Sequence, residues 1–355
     1  MKTQQECGPT RVKLAIVGFG NVGRAFAEQL RQRRDWLAET CGLELSLIGV
    51  ADRSGALVDH RGLEVAELVR IKSSAGTLAA VKGKIALPPA EAVECFAQAG
   101  AQVLIETLPS SLHSQGEPAI TFATQALTRG LHLVTANKAV LLFAGPQLER
   151  LAAKQEVCFA YSGATCAALP TLSFARRELV GAEIEEIRGL LNGTTNYILT
   201  RMNETGLSFE TALAEAQAAG IAEPDPRYDV EGWDSAAKLL ILANALMKAE
   251  AGFDQVSRCG IDAISPELVT EAHATHGAIK LIARARRVDH RVELSVAPQV
   301  VLPADSLFAV RGSNKAVEFR TDLYGTLLVA GGASSRMAVA ATLLKDVIHI
   351  YSRNQ

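Results

Sequence analysis

Six residues, GFGNVG at 18–23, stand between an apolar run and an amphipathic stretch, and they restrict what this chain can fold into more than any other feature. VKLAIV at 12–17 is short, apolar and partly β-branched, the pattern of a strand buried on both faces in a parallel sheet. Residues 24–38 then show helical periodicity, with Arg31, Arg33 and Arg34 marking the solvent face, and 43–50 reads as a second strand. Gly18, Gly20 and Gly23 thus place G-x-G-x-x-G at the first turn of a β-α-β unit. There, missing side chains let the backbone and a helix N-terminus approach a pyrophosphate. The plain alternative is a tight strand-to-helix turn with no ligand; the position at the first strand favours the nucleotide.

The alternation continues with apolar runs at 103–105 and 131–134, separated by a helix-like stretch at 118–129. The expected fold is α/β: a Rossmann-type doubly wound parallel sheet over residues 1–145, followed by a second α+β domain for substrate and dimerisation over 146–321. The texture changes beyond Gly145, where strand-like pieces at 185–191 and 293–301 stand among alanine-rich helices. Residues 325–330, two glycines and a helix from about Met337 predict a C-terminal segment, 322–355, that returns to the nucleotide-binding domain.

A chain of 355 residues exceeds the usual size of one core, which supports two domains. The formal charge of -2 supplies no single-sign field, so nucleic acid and anionic membrane are not expected as partners. No run approaches ~20 apolar residues, and the first eleven residues lack the apolar stretch of a signal peptide. Cys7, Cys41, Cys95, Cys158, Cys166 and Cys259 show no C-x-x-C spacing and fit reduced thiols, hence a cytoplasmic location. No metal is expected, because His273 and His276, the one close histidine pair, lack an acid or thiol framework.

Asp52 ends the second strand, where a carboxylate can accept from an adenosine ribose, while Arg53 can face a 2′-phosphate. The two signals conflict and leave NAD and NADP both open; a solvated loop acid is the plain reading of Asp52. Lys138, in TANKA at 135–139, puts an ammonium at the carboxyl edge of the sheet, where such folds bind ligands, although an exposed lysine is equally ordinary.

The stretch AEPDPRYDVEGWDSAAK at 222–238 gathers five acids, Glu223, Asp225, Asp229, Glu231 and Asp234, and Lys238 around Pro224 and Pro226. Asp234 and Lys238, at i and i+4, share a helix face; partly buried, such a pair can bind a zwitterionic amino acid or move a proton at an alkoxide. Exposed, it is a surface ion pair of about 0.3–0.5 kcal/mol. Glu223 is a second candidate for a substrate ammonium, with loop solvation as its ordinary role. LLNGTTNYI at 190–198 follows an apolar strand-like run and offers amides and hydroxyls to a substrate, or simply a cap to the next helix.

Taken together, GFGNVG, TANKA, GLLNGTTNYIL at 189–199 and AEPDPRYDVEGWDSAAKL at 222–239 resemble the homoserine dehydrogenase family, in order and spacing, across most of the chain. The resemblance implies NAD- or NADP-dependent interconversion of L-aspartate 4-semialdehyde and L-homoserine, in threonine, methionine and isoleucine biosynthesis, by a homodimer. It implies Lys138 and Lys238 as catalytic groups. Glu223, Asp229 and Asp234 would hold the amino acid end, with Gly193 and Thr194 as the wall of the site. Gly18, Phe19, Gly20, Asn21, Val22, Gly23, Asp52, Arg53, Thr107, Asn137 and Gly332 would face the cofactor. Two stretches depart from the family pattern. YSGATCAALP at 161–170 has Ser162 or Gly163 where an acid is usual, which puts a monovalent cation site in doubt, and AGGASSRMAVAA at 330–341 fits only loosely, with Gly331, Gly332 and Ala333 toward the cofactor. A C-terminal regulatory module, and threonine control through it, are not expected. The competing readings are another nicotinamide-dependent dehydrogenase of a small amino or hydroxy acid, and a catalytically silent nucleotide-binding sensor.

Overall fold

The computed structural model describes residues 8–81, 85–262, 264, 266–332 and 334–352; Cys7 and the start of the stretch read for a signal peptide lie outside the described residues. The chain divides into two units. The first runs to Gly163 and resumes at Ser335, and the second is Ala164–Ser334.

The first unit opens with β1 (Thr10–Val17), α1 (Asn21–Gln32), α2 (Arg34–Cys41), β2 (Leu43–Asp52), β3 (Gly55–Val58), α3 (Val65–Ala75), β4 (Ile85–Leu87) and α4 (Ala92–Gln98). It continues with β5 (Val103–Glu106), α5 (Ala119–Thr128), β6 (His132–Thr135), α6 (Lys138–Lys154) and β7 (Phe159–Ala160). The sheet order is β4-β3-β2-β1-β5-β6-β7. β1 runs parallel to β2 on one side and β5 on the other, so the winding reverses at β1 and opens a crevice at the strands' carboxyl ends. Both faces of β1 are buried: Val12, Leu14 and Ile16 pack with Phe26 and Leu30, whereas Ala15 and Val17 face Phe96 and Phe122. That is why the sequence reads as an unbroken apolar run rather than an alternation.

Two differences from the sequence reading have local causes. The sheet is not parallel throughout: β3 is antiparallel to β2, because Asp52 pairs with Gly55 across a connection too short for a crossover, and β4 is antiparallel to β3. The periodicity over 24–38 is also two helices. α1 buries a continuous face, Ala25 to Leu30, but α2 buries only Leu37, and the chain breaks at Arg33 before ending on left-handed Gly42.

The second unit contains α7 (Thr171–Glu178), β8 (Ile184–Leu190), α8 (Gly193–Thr205), α9 (Phe209–Ala218), α10 (Arg227–Val230), α11 (Trp233–Met247) and β9 (Ser257–Arg258). After these come α12 (Pro266–Ala274), β10 (Ala278–Val288), β11 (Arg291–Val301), β12 (Lys315–Thr321) and β13 (Gly325–Gly331). Its sheet order is β13-β12-β8-β10-β11-β9, antiparallel except for the β11–β9 pair. β8 is an interior strand between β12 and β10, and α11 packs against β8, β10 and β11. The last helix, α13 (Arg336–Ser352), belongs to the first unit, where Ala340, Leu343, Leu344, Val347 and Ile350 join the β1 core.

The boundaries differ from those expected at 145/146 and 321/322. The texture changes beyond Gly145, yet Gly145 and Pro146 both lie inside α6. β13 pairs with β12 from Thr321↔Gly325 to Lys315↔Gly331, so that strand stays in the second sheet and only α13 returns.

Candidate functional site

In the first unit β1 ends at Gly18, whose φ of +91° suits glycine and where a Cβ would meet Leu108 N and Thr107 C at 2.6 Å. Thr107 ties the two central strands together: its amide donates to Val17 O at 2.9 Å and its hydroxyl to Gly18 O at 2.5 Å. A Cβ on Gly23 would lie 2.4 Å from Gly18 O, so its absence lets α1 close on the turn. Gly20, the N-cap of α1, carries no side-chain cap, and a Cβ there would meet no heavy atom within 4 Å. Phe19 is buried, while Gly20 and Asn21 are exposed and Val22 half-buried. An uncapped helix start beside open space suits the pyrophosphate of a dinucleotide.

Asp52 is not a solvated loop acid: it is 8% exposed and its oxygens are engaged. Oδ1 accepts from the Ser54 amide at 2.8 Å and from its hydroxyl, while Oδ2 takes the Lys72 ammonium and the Leu78 amide at 3.3 Å. Burial pushes this carboxyl up, but Lys72 and Ser54 outweigh it and hold the pKa below the usual range. Arg53 beside it is exposed.

Lys138 is the first residue of α6, half-buried, at the carboxyl end of β6. The turn before it is built on Glu106, a wholly buried carboxyl that the sequence reading passed over. Glu106 accepts from the Thr135 hydroxyl, from the Leu108 amide at 2.7 Å and from Asn137 Nδ2 at 3.3 Å. Asn137 Oδ1 in turn accepts from the Ala139 amide at 3.1 Å and caps α6. Burial raises the Glu106 pKa against these bonds.

In the second unit α11 carries Asp234 and Lys238 on its buried face, joined at 2.5 Å with side chains 7% and 12% exposed. This is no surface ion pair. Lys238 Nζ also donates to Leu191 O at 2.8 Å, just beyond the end of β8. Asn192, the N-cap of α8, bridges the acids: Nδ2 donates to Asp229 Oδ1 at 2.6 Å and Asp234 Oδ2 at 2.8 Å, while Oδ1 accepts from the Thr195 amide at 2.9 Å. The Thr194 hydroxyl donates to Ile221 O at 3.2 Å, and its nearness to Asp229 works to lower that carboxyl's pKa. Gly193 is required by a close approach, because a Cβ would lie 2.7 Å from Ser313 O.

Burial alone would push the Lys238 pKa down; Asp234, Cys166 and Asp229 raise it above its usual value, so the group is an ammonium. Asp229 is raised by burial and by the charge of Asp234. The structure therefore brings together Asp229, Asp234, Lys238, Gly193 and Thr194. Glu223 is exposed on the loop, outside this bonded cluster, and Asp225 pairs with Arg227 at 2.6 Å in solvent. Trp233 stacks on Phe253 and under Arg258, a packing role.

Lys315, also unread in the sequence, is 2% exposed and donates to Cys166 O at 2.9 Å and Ser334 Oγ at 2.8 Å. Gly332 packs on Leu169 of the same turn, with a would-be Cβ 2.9 Å from its amide; Ala333 lies outside the described residues. Among the described residues no group of three His, Cys, Asp or Glu is placed to hold a metal ion, and no helix is long and apolar enough to cross a membrane.

Residues 18–162 match the family model described as homoserine dehydrogenase, NAD binding domain, and residues 170–348 match the one described as homoserine dehydrogenase. An NAD(+)-dependent homoserine dehydrogenase of Pseudomonas canavaninivorans is 37% identical over 344 residues, 96% of this chain and 97% of that one. A homoserine dehydrogenase of Methanocaldococcus jannaschii is 37% identical over 341 residues, 96% of this chain and 98% of that one. Among solved structures, a hyperthermophilic archaeal homoserine dehydrogenase in complex with NADPH superposes with a TM-score of 0.80 at 25% identity, over 97% of this chain and 98% of that one. A homoserine dehydrogenase from Thiobacillus denitrificans superposes at 0.81 and 28% identity, covering 97% of this chain and 74% of that one.

Proposed function

Because the chain belongs to the homoserine dehydrogenase family, we propose a division of labour among its residues for the reaction of that family. The reaction is the NAD(P)-dependent interconversion of L-aspartate 4-semialdehyde and L-homoserine, a step of threonine, methionine and isoleucine biosynthesis. The buried Asp234–Lys238 pair at the end of β8 is the observation that carries the assignment of the substrate end.

The nicotinamide, when bound, accepts the hydride from homoserine or returns one to the aldehyde. Lys238 has three protons, of which Asp234 and Leu191 O take two; the third serves the substrate oxygen. In the reducing direction that proton goes to the oxygen as the carbonyl carbon gains hydride, and the ammonium stabilises the negative charge until then. Lys138 is the second candidate for that contact. Asp229 and Asp234 bind the ammonium of the amino acid, Gly193 and Thr194 line its place, and Glu223, exposed on the loop outside the cluster, is a further candidate for that ammonium. Gly18–Gly23 takes the pyrophosphate; Thr107, Asn137 and Gly332 also face the cofactor. At the adenosine end Asp52 is already engaged, which leaves exposed Arg53 as the group for a 2′-phosphate.

A homodimer through the second unit, working in the cytoplasm, completes the reading. Leu323, Tyr324 and Leu328 support it, since they expose apolar area on and beside edge strand β13. Light scattering reads that state directly.

The deciding experiment follows reduced-cofactor absorbance with homoserine, malate, lactate and glyceraldehyde 3-phosphate, using NAD and NADP. Homoserine is expected to exceed the others in kcat/KM by at least ~100-fold. A preference for a hydroxy acid would shift the assignment to another dehydrogenase, and cofactor binding without turnover would make the protein a sensor.

A further inference from the structure

We propose that Lys315 is a positioning residue of the substrate site, whose buried ammonium anchors the turn at 166–169 and sets the charge beside the Asp234–Lys238 pair. This rests on reading that pair as the substrate end.

The geometry begins with two lysines at one end of an interior strand. Lys238 grips Leu191 O, one residue past β8, and Ala316 of β12 pairs with Leu190 of β8. Lys315, the residue before Ala316, reaches back 149 positions in sequence to Cys166 O. That carbonyl also accepts from the Leu169 amide at 3.2 Å, closing a tight turn. Inside the turn Ala167 sits at φ +54°, a left-handed conformation that a non-glycine residue keeps only when its surroundings over-determine it. Lys315 on one side and Gly332, packed on Leu169, on the other supply that constraint.

A tie alone would not call for a lysine. Cys166 O and Ser334 Oγ are neutral acceptors, and a neutral donor could hold both without the penalty of burying a charge. What the lysine adds is charge in the right place. Lys238 and Asp234 both act on it electrostatically, as does the Cys166 thiol, and burial lowers its pKa first of all. With Asp229 and Asp234 ionised and Lys238 and Lys315 protonated, the four groups sum to zero. A zwitterionic amino acid then enters without stranding a net charge in a buried site.

The test uses the full chain with Lys315→Met, Lys315→Gln and Lys315→Ala. Steady-state kcat and KM for homoserine are measured beside the Kd of the reduced cofactor, by its fluorescence, and the thermal midpoint. In the Met and Gln variants kcat/KM is expected to fall roughly 10- to 100-fold, chiefly through KM, with cofactor Kd within about twofold. In the Ala variant ethylammonium should restore part of kcat/KM saturably and raise the thermal midpoint, while tetramethylammonium at equal ionic strength does neither and the wild type ignores both. Wild-type kinetics in the Gln variant would show that charge is irrelevant and overturn the proposal. So would an Ala variant blind to ethylammonium, or a loss shared equally by cofactor and substrate. If the wild type itself fails to oxidise homoserine, the substrate assignment falls, whereas the effect of ethylammonium on the Ala variant's midpoint still decides the anchoring role.

Discussion

At the scale of single residues, Lys238 is defined by what surrounds it. Its charge is sustained by Asp234 at 2.5 Å despite burial, so the ammonium form persists through neutral pH. Lys238→Met keeps the length and removes both the proton and the charge. Turnover is expected to fall at least ~100-fold with cofactor affinity retained, and stability to fall about 3–5 kcal/mol because Asp234 loses its counter-charge. Steady-state kinetics and denaturant titration through the unfolding transition measure both; near-normal turnover removes Lys238 from the chemistry. Arg53 carries a second prediction. With Asp52 closed off by Lys72, Arg53→Ala should weaken NADP binding roughly 10-fold or more and leave NAD nearly unchanged, as a charge-assisted contact to a phosphate requires. Equal effects on both cofactors would place that side chain elsewhere. The sequence displayed Asp234 and Lys238 because i,i+4 spacing is local. It hid the partners of Asp52 and Lys315, since Lys72 comes from a later helix and Cys166 from a turn 149 residues away.

At the scale of elements, the turn between β6 and α6 shows what a motif reading leaves out. TANKA was recognisable as an ammonium at a strand end, but the support of that turn is Glu106 at the end of the neighbouring strand. Glu106 prefers its proton more when folded than when unfolded. Its contribution to stability is therefore full below the ordinary value of 4.5 and is lost as pH rises through the raised one. Glu106→Gln removes that dependence at the constant cost of one acceptor. The difference in thermal midpoint, wild type minus variant, is expected to shrink as pH rises above 4.5. A difference independent of pH would mean that the carboxyl ionises in the fold as readily as in water. The same comparison explains α1 and α2: periodicity over 24–38 could show an amphipathic stretch, but not that its buried stripe stops at Leu30 and resumes only at Leu37.

At the scale of the whole molecule, the class of both sheets could be read from alternating patterns and glycine turns, whereas the path between them could not. Whether β13 joins one sheet or the other depends on edge hydrogen bonds that leave no trace in composition. α13 is the clearest case: its apolar residues belong to the β1 core, with Leu343 wholly buried. Leu343→Ala should cost about 2–5 kcal/mol in denaturant unfolding and shift the midpoint without changing the slope. A loss under ~1 kcal/mol would mean that α13 is only loosely docked.

The return of α13 also orders events during synthesis. All strands of both sheets precede Arg336, so a ribosome has delivered the complete six-stranded sheet while one face of the nucleotide-binding sheet still lacks its last cover. The unit begun first is completed after the second, and the growing chain carries that bare apolar face until α13 emerges.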